Sequence, residues 1–282
     1  MAALEIGKLP TLTIVRLDSI LLHEELDRRR FEPLKERIAS EGCIRNPPIA
    51  ARDRDSGAYI LLDGANRIGA LKDLGAKFVV VHEIPLEDPG LILSTWHHAV
   101  EGLDIGVVRK GVETFGRLIA TTGTFTCDDD FLPAFRSGWT CLVVLPDRET
   151  FAVRAGIAPG ERAEAARRMF DLMGRGTNLD RVTYTNLRDL TSHYPGFSAL
   201  VCYRPFSKQE IVGFARQGTL LPGGITRFSV PKRVLEFSIP LALLIEEGPI
   251  ESKRVAIDRM VQDKIGARQI RFYAEPTFHF DE

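Results

Sequence analysis

Residues 59–75 constrain the fold of this chain more than any other stretch. An apolar run of strand length at 59–62 stops at Asp63-Gly64. Apolar residues then recur at the spacing of one helix face until a glycine ends the pattern, at Ile68, Leu71, Leu74 and Gly75. The sequence therefore predicts a strand, a tight turn and a helix in direct succession.

The predicted turn has the chemistry of an anion site. The first N–H groups of a helix have no partner within it, and the helix dipole places positive charge at the same end. Arg67 lies just inside this helix start, so a phosphate is the most natural ligand. Many strand-to-helix turns carry Asp-Gly and bind nothing, so the spacing alone leaves both interpretations open.

The overall charge disfavours a nucleic-acid binder. The chain has 282 residues, of which 44% are hydrophobic and 27% charged, and this suits one large or two modest soluble domains. Lys and Arg total 37 against 38 Asp and Glu, so the basic excess that gives a protein its grip on a phosphate backbone is missing.

The cysteines and the apolar runs indicate a protein of the reducing cytoplasm. The four cysteines form no Cys-x-x-Cys pair, which favours small buried side chains over a zinc site or disulfides, at Cys43, Cys127, Cys141 and Cys202. The first residues lack a basic region followed by an apolar core. The longest apolar runs, such as 241–245, are far shorter than the roughly 20 residues of a membrane span.

Residues 1–90 are predicted to form a small α/β domain. Its strands are expected at 11–16, 49–52, 59–62 and 78–81. The helix between the first two strands presents apolar residues on one face and ends at a glycine, with Phe31, Leu34, Ile38 and Gly42. Glu24 and Glu25 precede this helix, where carboxylates complement the helix dipole.

Residues 91–282 are predicted to form a second, mixed α/β domain. A helix from Leu91 would carry Trp96, His97 and His98, with the two histidines on different faces so that they cannot share a metal ion. A polar loop is expected at 121–130. Further strands are expected at 141–145, 200–204 and 269–273, and helices at 161–173, 211–216 and 252–265, the second opened by a Ser207–Glu210 capping box.

A glycine-rich loop at 221–228 is a second candidate anion site. Gly223 and Gly224 allow backbone N–H groups to approach a ligand, while Thr226 and Arg227 offer a hydroxyl and a fork of donors suited to carboxylate or phosphate. A hairpin turn with an exposed arginine explains the same residues.

Several of these motifs together carry a resemblance to a known family. The segment 14–84 resembles the ParB/sulfiredoxin superfamily, whose nucleotide-binding turn corresponds here to 63–67. More narrowly, the chain resembles the free L-serine kinases of that superfamily, including the siderophore-cluster branch. The matching stretches are His23-Glu24, the Asp-Gly-x-x-Arg turn, Thr95-Trp96-His97, Gly224-Ile225-Thr226-Arg227 and Tyr273-Ala274-Glu275-Pro276-Thr277.

The resemblance implies a role for each motif. Glu24 would be the base that takes the proton of the serine hydroxyl. The nucleotide would bind at Asp63, Gly64, Ala65, Asn66 and Arg67, with Arg45 and Asn46 as further candidates. The serine would lie against Trp96, Thr226, Arg227 and Phe228. ATP or ADP would be the phosphoryl donor, with Mg²⁺ on the phosphates and no metal held by protein side chains alone.

Two residues depart from the family pattern. Asn66 and Phe228 stand where the family turn and the family Thr-x-His loop have histidines. The implied activity is phosphorylation of free L-serine to O-phospho-L-serine, for cysteine, siderophore or other diaminopropionate-type biosynthesis. The alternative is a ParB-like nucleotide-binding transcriptional regulator without turnover, although the helix-turn-helix of chromosome-partitioning ParB proteins has no counterpart in the sequence.

Overall fold

The computed structural model describes residues 9–114, 116–120, 139–154, 158–174, 178–183 and 186–273. The predicted loop at 121–130, Cys127 and residues 274–277 of the family-like ending lie outside these ranges.

A five-stranded mixed sheet forms the first part of the molecule. The elements up to residue 83 are β1 (Thr11–Arg16), β2 (Ile20–Leu21), α1 (Arg28–Glu41), β3 (Cys43–Ile44), β4 (Ile49–Arg52), β5 (Tyr59–Asp63), α2 (Ala65–Asp73) and β6 (Phe78–Glu83). The strand order is β1-β6-β4-β5-β2. β1 pairs with β6 and β4 with β5 in antiparallel fashion, whereas β2–β5 and β4–β6 are parallel.

A six-stranded antiparallel sheet forms the second part. Its elements are β7 (Ile92–Thr95), β8 (His97–Glu101), α3 (Ile105–Glu113), β9 (Gly116–Ala120), β10 (Trp139–Val144), β11 (Thr150–Arg154), α4 (Pro159–Met173), β12 (Asn178–Val182), α5 (Leu187–His193), β13 (Phe197–Tyr203) and α6 (Lys208–Gln217). The order is β12-β8-β13-β10-β11-β9, and β7 lies outside this sheet.

The last segment returns to the first sheet. It contains β14 (Thr226–Ser229), β15 (Ile239–Pro240), α7 (Leu241–Ile245) and α8 (Ile250–Gly266). β14 pairs with β7, and β15 pairs with β3 through Ile239 and Ile44. Ile239, Leu244 and Ile257 are buried in the same core cluster as β1 and β6. The division into 1–90 and 91–282 stays a prediction, and these contacts link the last segment to the first domain.

The predicted helix ends are set by ordinary capping chemistry. The Asp27 side chain accepts a hydrogen bond from the N–H of Arg29 at the start of α1, and Gly42 ends that helix in the left-handed conformation. The capping box before α6 is present, with Ser207 and Glu210 bonded reciprocally. The predicted mixed α/β class is confirmed.

The helix predicted from Leu91 is wrong. This stretch forms two strands, β7 and β8, separated at Trp96. β8 is an interior strand with β12 on one side and β13 on the other. Its conformation is therefore fixed by partners that are distant in sequence, from Glu101 with Asn178 to His98 with Val201, which the local apolar spacing does not reveal. His97 and His98 still point to opposite sides because strand residues alternate.

The strand predicted at 269–273 is also wrong. These residues form no ladder with any described strand. Phe272 is 64% exposed and Tyr273 56% exposed, so the apolar alternation there does not face a core.

The cysteines follow the expectation where they are described. Cys141 and Cys202 are buried in β10 and β13, and Cys43 is partly buried. Within the described ranges, no group of three or more histidine, cysteine or acidic side chains could hold a metal ion. No helix in the same ranges has both the length and the apolar character to span a membrane.

Gly64 lies in the tight turn between β5 and α2, and its replacement tests the packing of that turn. Its φ is 108°, and an added Cβ would lie 2.9 Å from Nη2 of Arg67 and 3.0 Å from Cβ of Pro48. Gly57, at φ 74°, has open space around it. We expect Gly57→Ala to lose about 1–2 kcal/mol from left-handed strain alone, and Gly64→Ala to lose more. Urea unfolding of both variants measures the difference, and equal losses would contradict the close packing at Gly64.

Candidate active site

The predicted site residues meet in one cleft of ≈1160 Å³. It lies between the carboxyl end of β5, the start of α1 and the loop before β14. Eleven of the twelve predicted residues line it, namely Glu24, Asn46, Asp63, Gly64, Ala65, Asn66, Arg67, Trp96, Thr226, Arg227 and Phe228. Two motifs about 160 residues apart in sequence thus form one site.

Arg45 is the predicted residue that does not line the cleft. Its guanidinium makes two hydrogen bonds of 2.9 and 3.0 Å with Glu41 on α1 and is half exposed. The nucleotide-binding role suggested for Arg45 therefore gains no support from its position.

Glu24 is held at the centre of the cleft by the glycine-rich loop. The segment around it runs beside Leu221, since the N–H of Glu25 donates to the carbonyl of Leu221 and the N–H of Leu221 donates to the carbonyl of His23, both at 2.8 Å. The Glu24 carboxylate accepts hydrogen bonds from the N–H of Gly224 at 3.0 Å, the N–H of Thr226 at 2.6 Å and the hydroxyl of Thr226 at 2.6 Å.

His23 also contacts the hydroxyl of Thr226. Its Nδ1 lies 2.8 Å from the carbonyl of Leu61, which can only accept, so Nδ1 carries the proton. Burial lowers the pKa of His23, and in the neutral ring Nε2 is an acceptor 2.9 Å from the hydroxyl of Thr226. The single hydroxyl proton of Thr226 is thus shared between His23 and Glu24.

Phe228 packs against His23 and is almost fully buried. The two rings meet edge to face with centroids 5.9 Å apart, and Phe228 is 6% exposed. It offers the cleft an apolar edge and no hydrogen bond. Phe228, at the position where the resembled family has histidine, therefore packs as part of the core.

The turn after β5 is organised by Arg67. Its Nη1 donates to the carbonyls of Asn46, at 2.8 Å, and Pro47, at 3.3 Å, while Nη2 contacts Asp63 at 3.2 Å. The guanidinium is mostly buried. Arg67 therefore fixes the loop at 46–47 against the turn, and most of its donors are already used.

Asp63 and Asn66 connect the turn to two other segments. Asp63 pairs with Arg233 as well as with Arg67. Burial raises the pKa of Asp63, but the two arginines outweigh that effect and hold the pKa below its usual value. The side-chain oxygen of Asn66 accepts a hydrogen bond of 2.9 Å from the N–H of Asp27. Asn66 thus joins the starts of α1 and α2.

Trp96 and Arg227 form one wall of the cleft. β7 and β14 pair so that Thr95 lies opposite Thr226, and the N–H of Trp96 donates to the carbonyl of Ile225 at 2.9 Å. The guanidinium carbon of Arg227 lies 4.7 Å from the centroid of a Trp96 ring. This cation–π contact orients an arginine beside the cleft.

The structure also places at the site residues to which the sequence gave no role. They include His23, Arg181 and Arg233 in the lining, and His98 supports the loop at Gly224. Arg181 lies on β12, in a region without motifs, and Arg233 follows β14 in an irregular stretch. His23 adjoins Glu24, which was the one available signal. His98 approaches from the second sheet, with Nε2 3.2 Å from the carbonyl of Gly224 and Nδ1 3.1 Å from the hydroxyl of Tyr203.

The cleft carries a positive charge. Its lining contains seven arginines, at 29, 30, 37, 67, 181, 227 and 233, and four carboxylates, at 24, 25, 27 and 63. The formal excess is three positive charges in a chain whose net charge is −1. An anionic ligand with several charges, such as a nucleotide polyphosphate, fits this arrangement.

The buried His98 predicts a loss of stability in acid. Burial lowers its pKa to about 4, so between pH 6.5 and pH 4 the unfolded chain binds the proton more readily. The free energy of unfolding should therefore fall over this range, by about 3 kcal/mol at most from this group. In His98→Gln, urea unfolding at pH 8 gives the cost of the lost contacts, and the further loss toward pH 4 should be smaller. An unchanged pH slope would contradict the assignment.

The fold and the cleft define a mixed α/β protein with a cationic cleft built around one carboxylate. Comparisons of the sequence with known proteins identify similar proteins. The chain is 28% identical over 243 residues to the ATP-dependent L-serine kinase SbnI of Staphylococcus aureus, covering 86% of this chain and 87% of that protein. It is 26% identical over 223 residues to an ATP-dependent L-serine kinase of Staphylothermus marinus, covering 77% and 85%.

Solved structures agree. C-terminally truncated SbnI from Staphylococcus aureus matches with a TM-score of 0.69 and 26% identity, covering 90% of this chain and 97% of that one. A free serine kinase in complex with AMP matches in fold with a TM-score of 0.67 and 18% identity, covering 84% and 96%. No family model matches the chain. The predicted resemblance to free L-serine kinases is confirmed, whereas the wider ParB/sulfiredoxin assignment stays a prediction.

Proposed function

We propose that this protein is an ATP-dependent kinase that phosphorylates the hydroxyl of free L-serine to give O-phospho-L-serine. The single observation that carries the proposal is the meeting of Glu24, the turn at 63–67 and the loop at 223–228 in one cationic cleft. The serine-kinase relatives supply the substrate and the donor by their names.

Glu24 is proposed as the base. A carboxylate offers about four acceptor positions, and three hydrogen bonds from the loop at 224–226 occupy most of them. One position is left for the hydroxyl of a substrate that enters the cleft. As phosphoryl transfer proceeds, that hydroxyl needs an acceptor for its proton, and a fixed carboxylate meets this need.

The nucleotide is proposed to lie with its phosphates at the start of α2. The N–H groups there and the helix dipole attract anions, and Arg233 adds a partly exposed cation. In this arrangement Arg67 acts mainly by shaping the turn, because its donors already bind Asn46, Pro47 and Asp63.

Mg²⁺ is the proposed counterion of the phosphates. It binds through one or two carboxylates together with phosphate oxygens, and four carboxylates line the cleft. When bound, the ion neutralises charge that develops on the phosphate oxygens during transfer.

We place the reaction in the cytoplasm, where ATP and free serine occur together.

The product suits biosynthesis. A phosphate leaves the β-carbon of serine more readily than a hydroxyl does, so O-phospho-L-serine would feed reactions that replace this group, as cysteine, siderophore and diaminopropionate formation require.

The alternative, a nucleotide-binding regulator without turnover, is less well supported. It does not account for a carboxylate held beside both the turn and the loop.

The direct test is incubation of the purified protein with serine, ATP or ADP, and Mg²⁺, followed by phosphorus NMR. A phosphoserine signal that requires both serine and nucleotide supports the proposal. Nucleotide binding without this signal, at several serine concentrations and with both donors, would favour the regulator.

Glu24→Gln should lower kcat by about 100- to 10,000-fold while nucleotide affinity stays close to normal, because the change removes the base and leaves the turn intact. Glu25→Gln is the matched control, since the Glu25 carboxylate pairs with Arg167. Steady-state kinetics and calorimetry with AMP measure the two effects. Near-normal turnover of Glu24→Gln would remove Glu24 from this role.

Phe228→His tests the substrate side of the cleft. The new imidazole would stand against His23 and offer a hydrogen bond where Phe228 offers an apolar edge. We expect KM for serine or kcat to change severalfold with nucleotide affinity unchanged. Phe228→Leu keeps the site apolar and separates loss of packing from gain of a donor. If neither variant alters any kinetic parameter, Phe228 has no part in the substrate pocket.

A further inference from the structure

Arg181 is a partly buried arginine of the cleft. It lies on β12, opposite His98 of β8, and its side chain is 28% exposed. Among the described residues, the structure gives its guanidinium no hydrogen bond. Its one ion pair, from Nη2 to Oδ2 of Asp27, spans 3.6 Å, which is too long for a direct hydrogen bond.

The second sheet brings this guanidinium next to the base. A Cβ atom added at Gly224 would overlap the guanidinium of Arg181, so the glycine is what allows the guanidinium to approach the loop. The N–H of the same Gly224 donates to Glu24. Arg181 therefore lies beside the glycine that donates a hydrogen bond to the proposed proton acceptor.

Arg181 is also connected to the proposed phosphate site through Asp27. Asp27, its ion-pair partner, is joined to the turn residue Asn66 by a hydrogen bond of 2.9 Å. Burial and the like charge of Arg30 lower the pKa of Arg181, while Glu24, Asp27 and Asp63 act in the opposite direction, so the guanidinium interacts electrostatically with the proposed base and with the turn. Burial makes an unused charged group costly, and a ligand phosphate would use its donors.

We propose that Arg181 is a catalytic residue that binds the phosphoryl group as it passes from the nucleotide to serine. In this step the serine oxygen forms a bond to the γ-phosphorus of ATP, the bond from that phosphorus to the β,γ-bridging oxygen breaks, ADP leaves with the electron pair, and the hydroxyl proton goes to Glu24. The equatorial oxygens of the transferred group carry the charge that a guanidinium fork stabilises. This inference rests on the proposed kinase activity.

The test uses Arg181→Ala and Arg181→Lys in the full chain, after the wild type has been shown to form phosphoserine. Removal of a transition-state arginine should lower kcat by at least about 10³-fold, with KM for serine changed little. Lysine should restore only part of the rate, because it supplies charge without the planar fork. Added guanidinium ion should partly rescue Arg181→Ala, which a structural role would not permit.

Asp180→Ala is the matched control, since Asp180 is the neighbouring, exposed residue on the same strand. It should leave the rate unchanged, and thermal unfolding should show that the variants are folded. A kcat within about tenfold of wild type in Arg181→Ala would overturn the inference, as would an effect confined to KM for serine, which would make Arg181 a carboxylate ligand instead. Absence of phosphoserine with the wild type would overturn the proposed function itself.

Discussion

The hydrogen bonds accepted by Glu24 hold the whole site together. They join positions 200 and 202 residues apart, and the loop that donates them is also held from the second sheet through His98 and Gly224. The proposed base and the proposed substrate loop therefore do not move independently. A change that loosens the loop also displaces the carboxylate, so substrate position and proton acceptance are fixed by the same contacts.

Local chemistry made much of this site predictable. The start of α2, the caps of α1 and α6 and the glycine-rich loop all depend on residues within a few positions of one another. The helix wrongly expected from Leu91 shows the limit, because β8 is held by two distant strands. Arg181 and Arg233 were missed for the same reason. Nothing in their neighbours along the chain shows that they reach the cleft.

Arginines in the cleft divide into two kinds according to what their donors contact. Arg67 is largely buried and binds two carbonyls and a carboxylate, so it behaves as part of the frame. Arg227 is stacked on Trp96, while Arg181 has only a long ion pair with the part of the chain that the structure describes. Burial with satisfied donors indicates a structural arginine, and partial burial with unused donors indicates one that awaits a ligand.

The return of the last segment to the first sheet also shapes how the molecule folds. Ile239 pairs with Ile44, and Ile257 on α8 completes the core that β1 and β6 begin. During synthesis the first sheet therefore lacks part of its apolar cover until residues 239–257 have left the ribosome. Contacts of such sequence separation slow folding and prolong the exposure of apolar surface, so the first sheet keeps an open apolar face for as long as residues 239–257 are missing from the growing chain.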